Sequence, residues 1–332
     1  MRYEKTNVKE DLEAAIFKVN EAIDATPDND PDLAGRLSNL AKMLLNKYRR
    51  TNNTDYLKDA ILSARKAVDK APDVADRVSS LVDLSTALSW WYEQTGDGKT
   101  LDQAISFTDE ALRLAPEHKP DGDSDSRNNL DLKKSAPAMQ TRIPLPSEQS
   151  ERAGRLSNLG SLLYMRYKLR GDKSDLDKAI SNMDGASNCI KPDHSDFRSL
   201  LNNLAVIRFG RYERDHDMAD LNEAISKARE VVKATPNSHL DRPGRLGNLS
   251  NMLLKLYEKT EDLDNLNEAI TIARSAISAT PYRHPDLASR LDHLSGMLLK
   301  RYEVADDIKD RDEAGTLALE QESLGDNRYV NS

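Results

Sequence analysis

A block of apolar and small residues recurs along the chain at an almost constant spacing. Each block opens with a leucine and continues with apolar or small residues 3, 4, 7, 10, 11 and 14 positions later, the spacing of one face of an α-helix. Successive block origins are 45, 44, 75, 45, 45 and 45 residues apart, so the chain is predicted to be an array of repeated units. The origins are Leu12, Leu57, Leu101, Leu176, Leu221 and Leu266, with a degenerate copy at Arg311.

A second pattern precedes these blocks and predicts a partner helix. A tyrosine stands nine residues before every origin, and from Leu37 onwards a Leu-x-x-Leu pair begins eleven residues before that tyrosine. We call the helix with the leucine pair helix A and the helix that follows it helix B. The fold class is therefore predicted to be all-α, a right-handed superhelical solenoid of antiparallel pairs with six helices A and seven helices B. The tyrosines are Tyr3, Tyr48, Tyr92, Tyr167, Tyr212, Tyr257 and Tyr302.

Residues at three fixed positions predict how the helices start and how they pack. A small residue follows the second leucine of each helix A, and an alanine lies three residues after each origin of helix B. Small residues at facing positions let two helix backbones approach closely. The residue before most origins is able to cap a helix, so helix B is predicted to start there. These predicted caps are Asp11, Thr100, Asp175, Asp220, Asn265 and Asp310.

One step exceeds the usual period by 30 residues and indicates an insertion. The segment 117–149 is polar and has no helical apolar pattern, so we expect it to be flexible. The predicted organisation is N-terminal repeats at 1–116, the insertion at 117–149, C-terminal repeats at 150–310, and a capping helix with a tail at 311–332. The chain begins in the middle of a unit, which indicates a piece of a longer protein or an ancestor that lost upstream repeats.

Composition narrows the class of function. The net charge of −8, with acids and bases mixed along the chain, argues against a nucleic-acid partner. A single cysteine, Cys189, excludes a disulfide framework and favours a reducing, cytoplasmic location. No apolar run approaches the roughly 18 residues of a membrane span, and the N-terminus has no signal-peptide core, so no membrane partner is predicted.

The repeat resembles the tetratricopeptide repeat (TPR). The spacing of Ala269, Ala273, Ala276 and Pro281 in helix B matches the small and proline positions of that family, and the Leu-small pair at 294–295 matches its helix A. The period of 45 departs from the usual 34 and is similar to the long-period arrays of fungal NACHT- and CHAT-associated signalling proteins and of kinesin light chain. The resemblance covers all of the chain except the insertion and the tail. It implies a binding scaffold without the catalytic domains that accompany such arrays.

The residue between the two leucines of helix A is the main candidate for partner binding. The resemblance implies that helix A lines a concave groove and that asparagine at this position holds a ligand peptide. A carboxamide can form hydrogen bonds with both the N–H and the C=O of an extended peptide, so a row of carboxamides would recognise the main chain of the peptide. The alternative is that these amides bond to the adjacent helix and set the stacking angle. The row is Asn39, Asp83, Asn158, Asn203, Asn248 and His293, where Asp83 and His293 depart from the pattern.

Two other groups of residues are candidates on the same helices. Four residues of the row have an arginine three positions before them. These arginines are able to bind an acidic partner or to form salt bridges within the chain. Trp90, seven residues after Asp83, is either an exposed anchor in the groove or packed between units. The arginines are Arg36, Arg155, Arg245 and Arg290.

Catalysis has little support in the sequence. No two histidines have metal-ligand spacing with a third donor, no phosphate-binding glycine loop occurs, and Cys189 is interpreted as a small buried thiol. No cofactor and no metal are therefore predicted. The leading hypothesis is a scaffold that binds a protein or peptide in its groove. The alternatives are an oligomerisation or sensor module that self-associates through the solenoid ends, and an enzyme that uses the groove and the insertion as pocket and lid.

Overall fold

The computed structural model describes residues 9–115, 148–282 and 284–326. Thirteen α-helices and no strands occur in these ranges, which confirms the all-α prediction. Helices B and A alternate from α1 onwards, and the predicted six helices A and seven helices B are all present. The helices are α1 (Lys9–Asp24), α2 (Asp32–Thr51), α3 (Thr54–Lys70), α4 (Val74–Thr95), α5 (Gly98–Leu114), α6 (Glu148–Arg170), α7 (Lys173–Cys189), α8 (Phe197–Asp215), α9 (Met218–Ala234), α10 (Arg242–Thr260), α11 (Leu263–Ser278), α12 (Leu287–Ala305) and α13 (Ile308–Asp326).

The chain forms two compact units. Unit 1 comprises Met1–Ile190 and contains α1–α7, whereas unit 2 comprises Lys191–Ser332 and contains α8–α13. In both units each helix A packs against the helix B that follows it. The predicted boundaries at 116, 149 and 310 stay predictions, and residues 117–147 of the insertion lie outside the described residues.

The core of each unit is the predicted seam between helices A and B. The leucine at each block origin is at most 2% exposed. The small residue on helix A touches the helix B backbone directly, because the Ser250 Oγ donates a hydrogen bond to the Ala269 carbonyl at 2.9 Å, and Ser85 bonds Ala104 in the same way. At Gly160 an added Cβ would lie 3.0 Å from the Ala179 carbonyl oxygen. The predicted close approach of the two backbones is thereby confirmed.

The turn from helix A to helix B explains the constant spacing of tyrosine and leucine. The residue four positions after each tyrosine from Tyr48 onwards adopts a left-handed conformation, and its N–H donates to the tyrosine carbonyl at 2.7–2.8 Å. The next residue is Asn or Asp, and its side chain accepts the backbone N–H two residues later, as Asp262 does from Asp264 at 3.0 Å. These side-chain caps are Asn53, Asp97, Asp172, Asp217, Asp262 and Asp307.

The predicted caps of helix B are therefore wrong, because the helix starts almost one turn earlier. Thr100, Asp175, Asp220, Asn265 and Asp310 lie inside the first turn, and Asp11 lies within α1. Three of them face the seam rather than a helix end.

These three aspartates are 3% exposed and bind arginines of helix A through two hydrogen bonds each. The distances are 2.7 and 2.7 Å for Arg166–Asp175 and for Arg211–Asp220, and 2.7 and 2.6 Å for Arg301–Asp310. A bidentate pair fixes both the separation and the rotation of the two helices.

Candidate functional site

One face of helix A carries the predicted row and two further positions. Counted from the first leucine of the pair, it comprises the residues at −2, +2 and +5, which share a helix face because they are four and three positions apart. We call this the groove face. At the +2 position, Asn39 and Asn158 are exposed, whereas Asn203, Asn248 and His293 are half-buried.

The four asparagine side chains form no hydrogen bond with any described residue. The adjacent helix therefore does not hold them, in contrast to the packing alternative raised by the sequence. Their carboxamides keep two donors and one acceptor each for an external group. Whether they bind a partner stays a prediction.

Asp83, at the same position of α4, is held by the neighbouring helix A. Its carboxylate accepts a hydrogen bond from the Ser38 hydroxyl at 3.0 Å and pairs with the Lys42 ammonium at 3.3 Å. Burial raises the pKa of the Asp83 carboxyl, and Lys42 and Ser38 oppose that shift. This acid thus joins α2 to α4.

Unit 1 contains a cavity of about 1090 Å³ between α4 and α6. The −2 and +2 positions of both helices line it: Ser79 and Asp83 on α4, and Gly154 and Asn158 on α6. Its apolar wall consists of Val74, Val78, Val82 and Leu114.

Unit 2 contains a smaller cavity of about 290 Å³, which the same register positions line. Asn248 and Asn251 of α10 stand at +2 and +5, and Ser289 and His293 of α12 stand at −2 and +2. Two residues of the predicted row, Asn248 and His293, are therefore brought to one cavity. Sequence reasoning missed Asn251 and Ser289, although their spacing from the row was available as a signal.

Three of the four candidate arginines bind a threonine of the preceding helix B. Arg36, Arg245 and Arg290 each donate to a threonine at the end of the preceding helix B, which is Thr26, Thr235 and Thr280 respectively. Each also pairs with the aspartate four residues before it, at 3.6, 3.2 and 3.1 Å. These guanidinium groups hold helix A against helix B.

Arg155 differs because Ala115 occupies the position of the threonine. Its side chain is 10% exposed and pairs with Glu151 at 3.4 Å, and its buried Nε has no hydrogen-bond partner. Arg155 lines the unit 1 cavity.

Trp90 and Cys189 complete the predicted residues. The Trp90 ring lies 5.9 Å from that of Tyr48, centroid to centroid, in the core between α2 and α4, so this side chain packs between repeats. The interpretation of Cys189 as a buried thiol is wrong, because it is half-buried and lines the unit 1 cavity. Its Sγ donates to the Gly185 carbonyl at 3.2 Å.

Within 9–115, 148–282 and 284–326, no group of three or more His, Cys, Asp and Glu side chains is placed to hold a metal ion. No helix in those ranges combines the length and the apolar character that crossing a membrane requires.

Neither a protein-family model nor a curated protein matches the sequence. The fold is similar to several solved structures. The C-terminal part of a TPR repeat-containing protein from Cytophaga hutchinsonii is 14% identical, with a TM-score of 0.55 over 93% of this chain and 90% of that one. The apo form of the quorum sensor NprR from B. thuringiensis is 12% identical, with a TM-score of 0.55 over 97% and 77%. The assembly chaperone of RpL4 is 13% identical, with a TM-score of 0.51 over 93% and 96%.

Proposed function

We propose that this chain, which has the fold of the tetratricopeptide-repeat proteins, is a non-catalytic scaffold that binds an extended peptide of a protein partner on its groove face. The observation that carries the proposal is that equivalent positions of helix A line both cavities. In each unit, −2 and +2 positions of consecutive helices A open onto one cavity, and the asparagine amides there are unpaired among the described residues.

The chemistry of the row favours recognition of the peptide main chain. Each free carboxamide can donate to a peptide C=O and accept from a peptide N–H, and neither bond depends on the peptide side chain. A net hydrogen bond contributes about 0.5–1.5 kcal/mol, so loss of one asparagine with two bonds weakens binding by roughly tenfold. The similar folds of a quorum sensor and of an assembly chaperone are compatible with a binding role.

A peptide-display library selected on the purified chain tests the proposal. Selected peptides are then compared in two series, one with each residue changed to alanine and one with each backbone N methylated. We expect N-methylation at several peptide residues to abolish binding where alanine substitution has little effect. Methylation removes the peptide N–H that donates to the asparagine carboxamides.

Matched variants of the chain locate the contact. Asn248→Ala should weaken binding about tenfold, whereas Asn222→Ala, an exposed asparagine on helix α9, should leave it unchanged. Equal affinities of both variants and the parent chain, or a selection that yields no binding peptide, would reject the groove proposal.

Self-association is the second candidate, and exposed apolar side chains on the last two helices favour it. Val304, Ile308 and Leu319 are 58%, 56% and 69% exposed. Light scattering at increasing concentration would detect a dimer that Leu319→Lys dissociates. A monomer at all concentrations would exclude this candidate.

A further inference from the structure

The unit 2 cavity is lined by hydrogen-bond donors and by no acidic side chain. Asn248, Asn251 and Ser289 form no side-chain hydrogen bond with a described residue, and each offers at least one donor to the cavity. Arg290 adds a guanidinium at the wall, which donates to the Thr280 hydroxyl and is paired with the Asp286 carboxylate at 3.1 Å. Such a lining suits a small anion with several acceptor oxygens.

His293 gives this cavity a group that can change its charge. It replaces the asparagine of four other repeats, it is half-buried, and its buried Nε2 has no hydrogen-bond partner among the described residues. An imidazole can take up a proton and become a second cation, which an asparagine cannot do.

The charged groups around His293 come from two of the helices that line the cavity. Arg290 and Asp292 lie on its own helix α12 and Lys255 lies on α10, while α11 contributes only Ala273 and Ala276 to the lining. Burial lowers the pKa of His293, Lys255 lowers it further, and Asp292 opposes the shift. The empty cavity therefore favours the neutral form of the imidazole.

We propose that this cavity binds an oxyanion carried by the partner peptide, a carboxylate or a phosphate, and that His293 takes up one proton as the oxyanion binds. The proposal rests on the peptide-binding function above and specifies what one subsite recognises. The proton comes from solvent, and the anion supplies the opposite charge that stabilises the imidazolium in a partly desolvated site.

Proton uptake makes binding dependent on pH in a defined direction. Between the low pKa of His293 in the empty cavity and its higher pKa in the occupied cavity, affinity rises as the pH falls. The limit is about tenfold per pH unit for one proton. Above both pKa values of His293 the affinity no longer changes with pH.

Histidine Cε1–H signals in NMR titrations test the proposal on the whole chain. His293 is assigned as the signal that is missing from His293→Asn, with circular dichroism to verify that this variant is folded. The pKa is measured in sodium chloride, in sodium glutarate and in inorganic phosphate at equal ionic strength. We expect glutarate, phosphate or both to raise the pKa of His293 relative to chloride, and the larger shift identifies the preferred oxyanion.

A peptide-binding experiment distinguishes the oxyanion site from the peptide-binding function proposed above. A display-selected acidic peptide should bind the parent chain more tightly at pH 6 than at pH 7.5, whereas His293→Asn and His293→Gln should bind it with no such dependence. If the peptide binds with equal pH dependence in all three proteins, or if no anion shifts the pKa of His293, the oxyanion site is refuted while peptide binding stands. If no peptide binds but the anions shift that pKa, the peptide function fails and the anion site stands.

Discussion

The bidentate pair Arg301–Asp310 provides the sharpest test of how helices A and B are joined. Asp310 is 3% exposed, the Arg301 side chain is 22% exposed, and two hydrogen bonds of 2.7 and 2.6 Å connect them. The preceding repeat has Leu256 and Asn265 at the same two positions. The perturbation is therefore Arg301→Leu and Asp310→Asn, singly and together, so that the double variant copies a pair that the chain already uses.

The magnitudes follow from which charge stays buried. Arg301→Leu leaves a buried carboxylate without its cation, which costs about 3 kcal/mol, at the lower end of the usual range because water reaches part of the pair. Asp310→Asn costs only about 1–2 kcal/mol, since the arginine is more exposed and the amide oxygen still accepts one bond. The double variant leaves no buried charge and should cost about 1 kcal/mol. The coupling energy, which is the sum of the two single losses minus the loss of the double variant, is then about 3–4 kcal/mol.

Urea titration at pH 7, monitored by circular dichroism, gives the free energy of unfolding of the parent chain and the three variants. Hydrogen exchange of α13 detects local release of the last helix. Arg301 lowers the pKa of the Asp310 carboxyl. The contribution of the pair is thus complete at pH 7 and is lost as the pH falls below about 4. Additive single effects, or a loss below about 1 kcal/mol for Arg301→Leu, would show that the pair does not hold α12 to α13.

Three further predictions concern single positions. Glu261 has a φ of 56°, where two other repeats have Gly96 and Gly171, so Glu261→Gly should raise the free energy of unfolding by up to about 1 kcal/mol in urea. Gly160 lies 3.0 Å from the Met183 Cγ when a Cβ is added, so Gly160→Ser should lower the unfolding temperature and Met183→Ala should partly restore it. Because the folded state lowers the pKa of His293, stability falls as the pH drops below the unfolded value of about 6.5. His293→Asn should therefore lose less stability than the parent chain between pH 7 and pH 5, and equal losses in urea titrations would contradict this.

The repeat architecture was predictable because every copy of the repeat has the same sequence pattern. The origin leucines and the tyrosines recur at fixed offsets, and burial of one apolar face per helix then leaves few arrangements. The helix starts were predicted one turn late because Asp220 and its equivalents have the residue type of a cap. The true cap, Asp217, has an equivalent in every A–B turn from Asn53 onwards. Comparing all the copies at both positions would have distinguished a cap from a buried partner of arginine.

The candidate site was predictable only in part. The +2 row follows from spacing, and the structure brings Asn248 and His293 to one cavity. The role of Arg245 depends on whether a threonine ends the preceding helix, which is a contact between segments and not a property of one segment. The widths of the cavities depend on the separation of neighbouring helices A, which a repeat pattern does not specify.

The central claim is that free asparagine amides on the groove face hold the main chain of a peptide partner. Calorimetric titration of a display-selected peptide into the triple variant Asn158→Ala, Asn203→Ala, Asn248→Ala tests it most directly, with Asn222→Ala as the control. The account predicts a loss of at least tenfold in affinity for the triple variant, with unchanged helicity and unfolding midpoint. An affinity equal to that of the control would contradict it.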